Sequence, residues 1–132
     1  MLECLIMGDS IAVGTAKYAT QCVTAAKGGI SSATYANSLA NHIVTELGYK
    51  IVVISLGSND EKTSAEHLIK VRKRVDNSDK VIWILPSRNA DVVQQVAARY
   101  GDVTLERPLL SKDKIHPTDA GYRQLAKSMH SN

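Results

Sequence analysis

Four short runs of near-continuous apolar residues, at positions 4–7, 51–56, 81–85 and, more weakly, 103–105, constrain this chain more than any other feature. A strand with one face in water alternates apolar and polar residues, so unbroken apolar runs predict strands covered on both faces. A fifth run at 21–25 is a further candidate. Between these runs the apolar period lengthens to that of a helix. Ala33, Ala36, Leu39, Ala40, Ile43, Val44 and Leu47 predict one helix, closed by Gly48. Ala65, Leu68, Ile69 and Val75 form a second stripe, opened by a Thr63-Ser64-Ala65-Glu66 capping box. Val93, Val96, Ala97 and Tyr100 form a third, with Asn89 as candidate cap. Tyr122, Leu125, Ala126 and Met129 form the last, entered through Pro117 and Thr118.

Strand and helix alternate from end to end, which predicts a parallel sheet flanked by helices and joined by right-handed crossovers. With 132 residues the expectation is one domain, 1–132, because a chain this short cannot bury two independent cores. A net charge of +3 from 16 basic and 13 acidic residues is too small and too scattered for a nucleic-acid partner, and no apolar stretch is long enough for a membrane span. Residues 1–7 carry no basic leader, so a cytoplasmic location is expected. Cys4 and Cys22 lie in apolar runs that read as neighbouring strands, without metal spacing, and are expected to be buried free thiols. His42, His67 and His130 fall on helical stretches without partner ligands, so neither a metal nor another cofactor is expected.

In parallel sheets of this kind ligands bind beyond the carboxyl ends of the strands. After the first strand comes Gly8-Asp9-Ser10-Ile11-Ala12, a tight turn that puts the Ser10 hydroxyl and backbone N–H at that edge. After the third comes Gly57-Ser58-Asn59-Asp60, where the Asn59 amide can project a donor. Asp113-Lys114-Ile115-His116-Pro117 precedes the last helix, with a carboxylate three residues from an imidazole. An unassisted serine hydroxyl is a poor nucleophile and needs a base, itself held by a third group. Ser10, His116 and Asp113 can fill these three roles. Attack on an ester creates an oxyanion, for which Asn59, the Ser10 N–H and the Gly29 N–H are candidate donors. Asp9 and Asp60 read as acceptors that fix their loops.

These blocks, in this order, resemble the SGNH or GDSL-type hydrolases: Gly8-Asp9-Ser10 the first block, Gly29 the second, Gly57-Ser58-Asn59-Asp60 the third, Asp113 with His116 the last. Either Gly28 or Gly29 can occupy the second position, and the Gly-x-Ser spacing favours Gly29. The resemblance implies a flavodoxin-like three-layer α/β/α fold with a sheet of about five strands. It further implies Ser10 as nucleophile, His116 as base, Asp113 as its orienting acid, and an oxyanion hole from Ser10, Gly29 and Asn59. The implied activity is a serine esterase acting on a short acyl group, acetyl above all, on a sugar, lipid or small molecule. The chain is short for this family, so the pocket is expected to be open and shallow.

Two other readings compete. A serine-containing loop after the first strand of a flavodoxin-like sheet can cradle the phosphate of a nucleotide, but this leaves Asn59, Asp113 and His116 without a role. A catalytically inactive homologue would keep the constellation and only bind a ligand. Loops at the same edge carry Glu61, Lys62, Ser87, Arg88, Asn89 and Arg107. Of these, Arg88 and Arg107 are candidate contacts for an anionic or sugar-linked substrate. No Phe, one Trp and five Tyr leave few platforms for stacking a long glycan.

Overall fold

A computed structural model describes residues 1–130, in which five strands and five α-helices alternate. In order they are β1 (Leu2–Gly8), α1 (Ser10–Ala16), β2 (Val23–Ala26), α2 (Ser32–Asn37), β3 (Tyr49–Ser55), α3 (Ala65–Lys73), β4 (Lys80–Ile84), α4 (Ala90–Tyr100), β5 (Val103–Leu105) and α5 (Asp119–Ser128). The strands pair in parallel in the order β2-β1-β3-β4-β5. The chain leaves β1 for β2 on one side and returns to β3 on the other, so the strand order reverses between β1 and β3. Ligand sites of such sheets lie at that reversal, and Ser10 and Asn59 follow these two strands.

The continuous apolar runs are explained by two cores, one on each face. Leu5, Met7, Val52, Ile54, Val81 and Trp83 point to one face and pack with Tyr35, Leu68, Val71, Val93 and Val96 from α2, α3 and α4. Cys4, Ile6, Val53, Ile82 and Ile84, their neighbours along the strands, point to the other and meet Ile11 and Ala12 of α1 and Leu125 and Ala126 of α5. Burying each such side chain contributes roughly 1.5–3 kcal/mol. The three layers are therefore α/β/α. Trp83 is fully buried, and its indole N–H donates to Asp102 Oδ2 at 2.9 Å. That carboxylate also takes Arg72 Nε and Nη2 at 2.7 and 3.0 Å, so the buried ion pair is well satisfied.

The expected helix over 33–47 is broken. α2 ends at Asn37, a single 3-10 turn spans Leu39–His42, and Ile43 is already extended. Asn37 Nδ2 and Ser38 Oγ bond back to the carbonyls of Ala33 and Thr34, competing with helix propagation. Arg74, from beyond α3, then donates to the carbonyls of Ala40, Asn41 and Ile43, satisfying the groups that a longer helix would have paired. Val44 and Leu47 are left exposed, and Gly48, at positive φ, leads into β3. The capping box also fails to form. Thr63 Oγ1 donates to Asp60 instead, and Ser64, which precedes α3, makes no side-chain cap bond.

The cysteines are not free thiols: Cys4 and Cys22 form a disulfide. In the parallel register Leu5 lies opposite Val23, so the residues before them face each other, with Cα atoms 4.7 Å apart. That separation lies within the span of an unforced disulfide.

Candidate active site

The turn from β1 to α1 is forced by close approach of the backbone. Gly8 has φ of 129°, and a Cβ there would overlap the Ser55 carbonyl of the neighbouring strand; only glycine fits. Asp9, not Ser10, caps the helix: its Oδ1 accepts from the Ile11 N–H at 3.0 Å and from Ser55 Oγ at 2.9 Å. Ser10 is thereby the first helical residue, with its hydroxyl released from capping. Asp9 is fully buried, and its Oδ2 has no hydrogen-bond partner among the described residues. Burial raises its carboxyl above the ordinary range, against the opposing effect of the bonds from Ser55 and Ile11.

His116 reaches this hydroxyl from 106 residues away: Ser10 Oγ and His116 Nε2 are 3.0 Å apart. His116 Nδ1 lies 2.7 Å from Asp113 Oδ2. The other carboxylate oxygen of Asp113 accepts from Ser111 Oγ and from the N–H groups of Ile115 and His116, at 2.8–2.9 Å. The His116 bond first, and then these two N–H groups, hold the Asp113 carboxyl well below the usual carboxylate range. An ionised Asp113 can only accept, so Nδ1 carries a proton and Nε2 is left to accept from Ser10. Both side chains are nearly half exposed, at 43% and 46%, so the site is open, unlike a buried protease triad.

The loop after β2 passes beside Ser10. A Cβ on Gly28 would stand 3.9 Å from Ser10 Cβ, while Gly29, at φ of 77°, makes the turn. Asn59 Nδ2 donates one hydrogen to the Ile30 carbonyl at 3.1 Å, which aims the amide and leaves its second hydrogen available. Asp60 ties the two loops: Oδ1 takes the Ser32 N–H at 2.8 Å, and Oδ2 takes Ser32 Oγ and Thr63 Oγ1. Asn89, expected as a cap, sits at φ of 63° and makes no cap bond. Its amide instead donates to the Gly57 and Asp60 carbonyls and accepts from the Thr63 N–H. Ser32, Ser55 and Asn89 are supports that sequence reasoning missed. They are ordinary polar residues whose partners lie on other loops.

Of the two candidate substrate arginines, Arg88 is exposed and touches only the Glu61 carbonyl, at 3.4 Å, among the bonds described. Arg107 is half-buried, and its Nη1 donates to the Ile115 carbonyl. Clefts flank the site on three sides: one of about 430 Å³ along 27–31 and α2, one of about 450 Å³ beyond Asn59, and one of about 250 Å³ beside Arg107. Among the described residues no group of three or more His, Cys, Asp or Glu side chains is placed to hold a metal, and no helix is long and apolar enough to cross a membrane.

No protein-family sequence model matches this chain, and no curated protein sequence does. Solved structures do. A member of the lipolytic protein G-D-S-L family from Veillonella parvula superposes with a TM-score of 0.64 at 17% identity, covering 99% of this chain and 98% of that one. This chain has the fold of the GDSL-type proteins. A lipolytic protein of the same family from Desulfitobacterium hafniense gives 0.65 at 15% identity over 96% and 97% of the two chains. A carbohydrate esterase family 3 protein from Talaromyces cellulolyticus gives 0.60 at 16% over 96% and 93%. The shared fold extends over nearly all of each chain.

Proposed function

We propose that this chain is a carboxylic ester hydrolase that works through an acyl-enzyme at Ser10. The observation that carries the reading is the continuous relay from Ser10 Oγ through His116 to Asp113, with spacings of 3.0 and 2.7 Å, assembled at the strand-order reversal. In the first step Ser10 Oγ attacks the carbonyl carbon and gives its proton to His116 Nε2. Asp113 stabilises the imidazolium, and the oxyanion is held by the N–H groups of Ser10 and Gly29 and the Asn59 amide. The intermediate then collapses, and His116 protonates the departing alcohol. Water repeats the sequence on the acyl-enzyme, and Ser10 leaves with the proton.

Open clefts and exposed relay groups suit a short acyl group, acetyl above all, on a small, sugar-linked or lipid alcohol, with Arg88 as the candidate contact for an anionic or sugar-linked one. The whole of 1–132 serves as one catalytic unit, with no cofactor or nucleic acid. The disulfide favours an oxidising compartment over the cytoplasm expected from the sequence.

The test is a panel of p-nitrophenyl esters and acetylated sugars, together with a serine-reactive phosphonate and mass mapping of the label. The wild type should hydrolyse the short esters and be labelled at Ser10. Ser10→Ala should lose both while keeping its fold. Turnover by Ser10→Ala close to that of wild type would end the assignment.

A further inference from the structure

The loop from β5 to α5, which delivers Asp113 and His116, is tied within itself. Ser111 N donates to the His116 carbonyl, Lys114 N to Ser111 and Thr118 N to Leu109, at 2.8–3.0 Å, and Leu110 bridges Pro117. These bonds shape the loop without fixing it to the sheet. Two non-glycine residues in it, Leu109 and Lys114, have positive φ of 50° and 59°. Such conformations cost about 1 kcal/mol or more and persist only where the surroundings hold them. Arg107 stands two residues beyond the end of β5, whose last residue, Leu105, accepts from the Leu85 N–H. Its guanidinium turns back onto the carbonyl of Ile115, between Lys114 and His116.

We propose that Arg107 is a positioning residue for His116, clamping the relay loop to the end of β5 and placing a fixed cation beside the Asp113–His116 pair. The inference rests on the reading of His116 as the base. Arg107 interacts electrostatically with Asp9 from the β1–α1 turn, with Asp113 on the loop and with Tyr122 on α5. Partial burial lowers the Arg107 guanidinium below its ordinary value, against these three groups, which favour its charge; a guanidinium keeps its proton under such opposition. The competing assignment is a substrate contact, because Arg107 also lines the cleft with Leu85, Pro86 and Glu106. A side chain already bonded to a backbone carbonyl has fewer donors left for that task.

The experiment compares Arg107→Gln and Arg107→Lys in the full chain. It measures kcat and KM for p-nitrophenyl acetate, with melting curves for the fold and the His116 ring signals by NMR for the placement of the imidazole. For Arg107→Gln, kcat should fall on the order of tenfold to a hundredfold as His116 is misplaced, with KM within about twofold and the His116 ring signals displaced. Arg107→Lys keeps a donor for the Ile115 carbonyl and should recover part of kcat. A merely structural arginine would lower the melting temperature and leave the kcat and ring signals of the folded protein unmoved. A rise in KM at constant kcat, or unmoved ring signals in a folded Arg107→Gln protein, overturns the proposal; should that variant not fold, an Arg107→Lys protein with wild-type kcat overturns it. A wild type inactive on every ester would sink the reading of His116 as base, while the ring signals would still report on Arg107.

Discussion

Replacing Asp113 by Asn probes the relay most directly, because the structure separates its two oxygens by task. Oδ1 accepts three bonds that shape the loop, and Oδ2 accepts from His116 Nδ1. The asparagine side chain can keep its carbonyl oxygen toward Ser111, Ile115 and the His116 N–H, so the loop survives. Its NH2 then faces Nδ1–H across 2.7 Å, and two donors cannot share that contact. The ring escapes by moving its proton to Nε2, which then points a hydrogen at Ser10 and can no longer take one. In a buried protease relay the same exchange costs about 10⁴ in kcat. Here both groups are nearly half exposed, so water recovers part of the electrostatic loss but not the tautomer. The expected fall is about 10³, with KM little changed and thermal stability close to wild type. Asp113→Ala should lose comparable activity and also melt lower, because three loop bonds go with it. Titration adds a sign. The folded carboxyl is depressed, so what it contributes is complete above its ordinary value of 3.8 and is lost only as pH falls through the lower folded value. A pH series of melting curves should therefore show no loss from this group between pH 5 and 7. Asp113→Asn retaining more than about a third of wild-type kcat would refute the reasoning.

Asn59→Ala should lower kcat on the order of a hundredfold with KM nearly unchanged, since the oxyanion exists only beyond the ground state; a change confined to KM in steady-state kinetics would make Asn59 a substrate contact. Asp9→Ala removes the cap of α1 and orphans the Ser55 hydroxyl, and should cost about 1–3 kcal/mol in urea denaturation. Because burial raises the folded Asp9 carboxyl, the unfolded chain ionises first, and wild-type stability falls as pH rises from 3.8 to the folded value. Asp9→Asn should flatten that segment of the profile. Replacing Cys4 and Cys22 by Ala frees a segment with a sequence separation of 18 and should cost about 3 kcal/mol on loop entropy. Intact mass after alkylation should count no free thiol in the wild type, and a reductant that leaves its melting temperature unchanged would contradict that cost.

The features legible in the sequence are those whose cause is local. Leu5 and Met7 point one way and Cys4 and Ile6 the other, so a strand covered on both sides has to be apolar throughout. Gly8, Asp9 and Ser10 lie within one turn, as do Asn59 and Asp60, and strand ends in a parallel sheet share one edge. What escaped the sequence was set by residues far along the chain. Nothing between 33 and 47 reveals that Arg74 will donate to three carbonyls there, beyond the early end of α2. Cys4 and Cys22 were readable as belonging to neighbouring strands; the missing element was the register that puts one beside the other. Asn89 has the residue type of a cap, and its left-handed backbone instead turns its amide toward two carbonyls of the Asn59 loop. The same distinction runs through the site. Its reactive groups are named by short motifs, while their aim depends on Ser32, Ser55, Asn89 and Arg107, which become meaningful only once the sheet has placed them side by side.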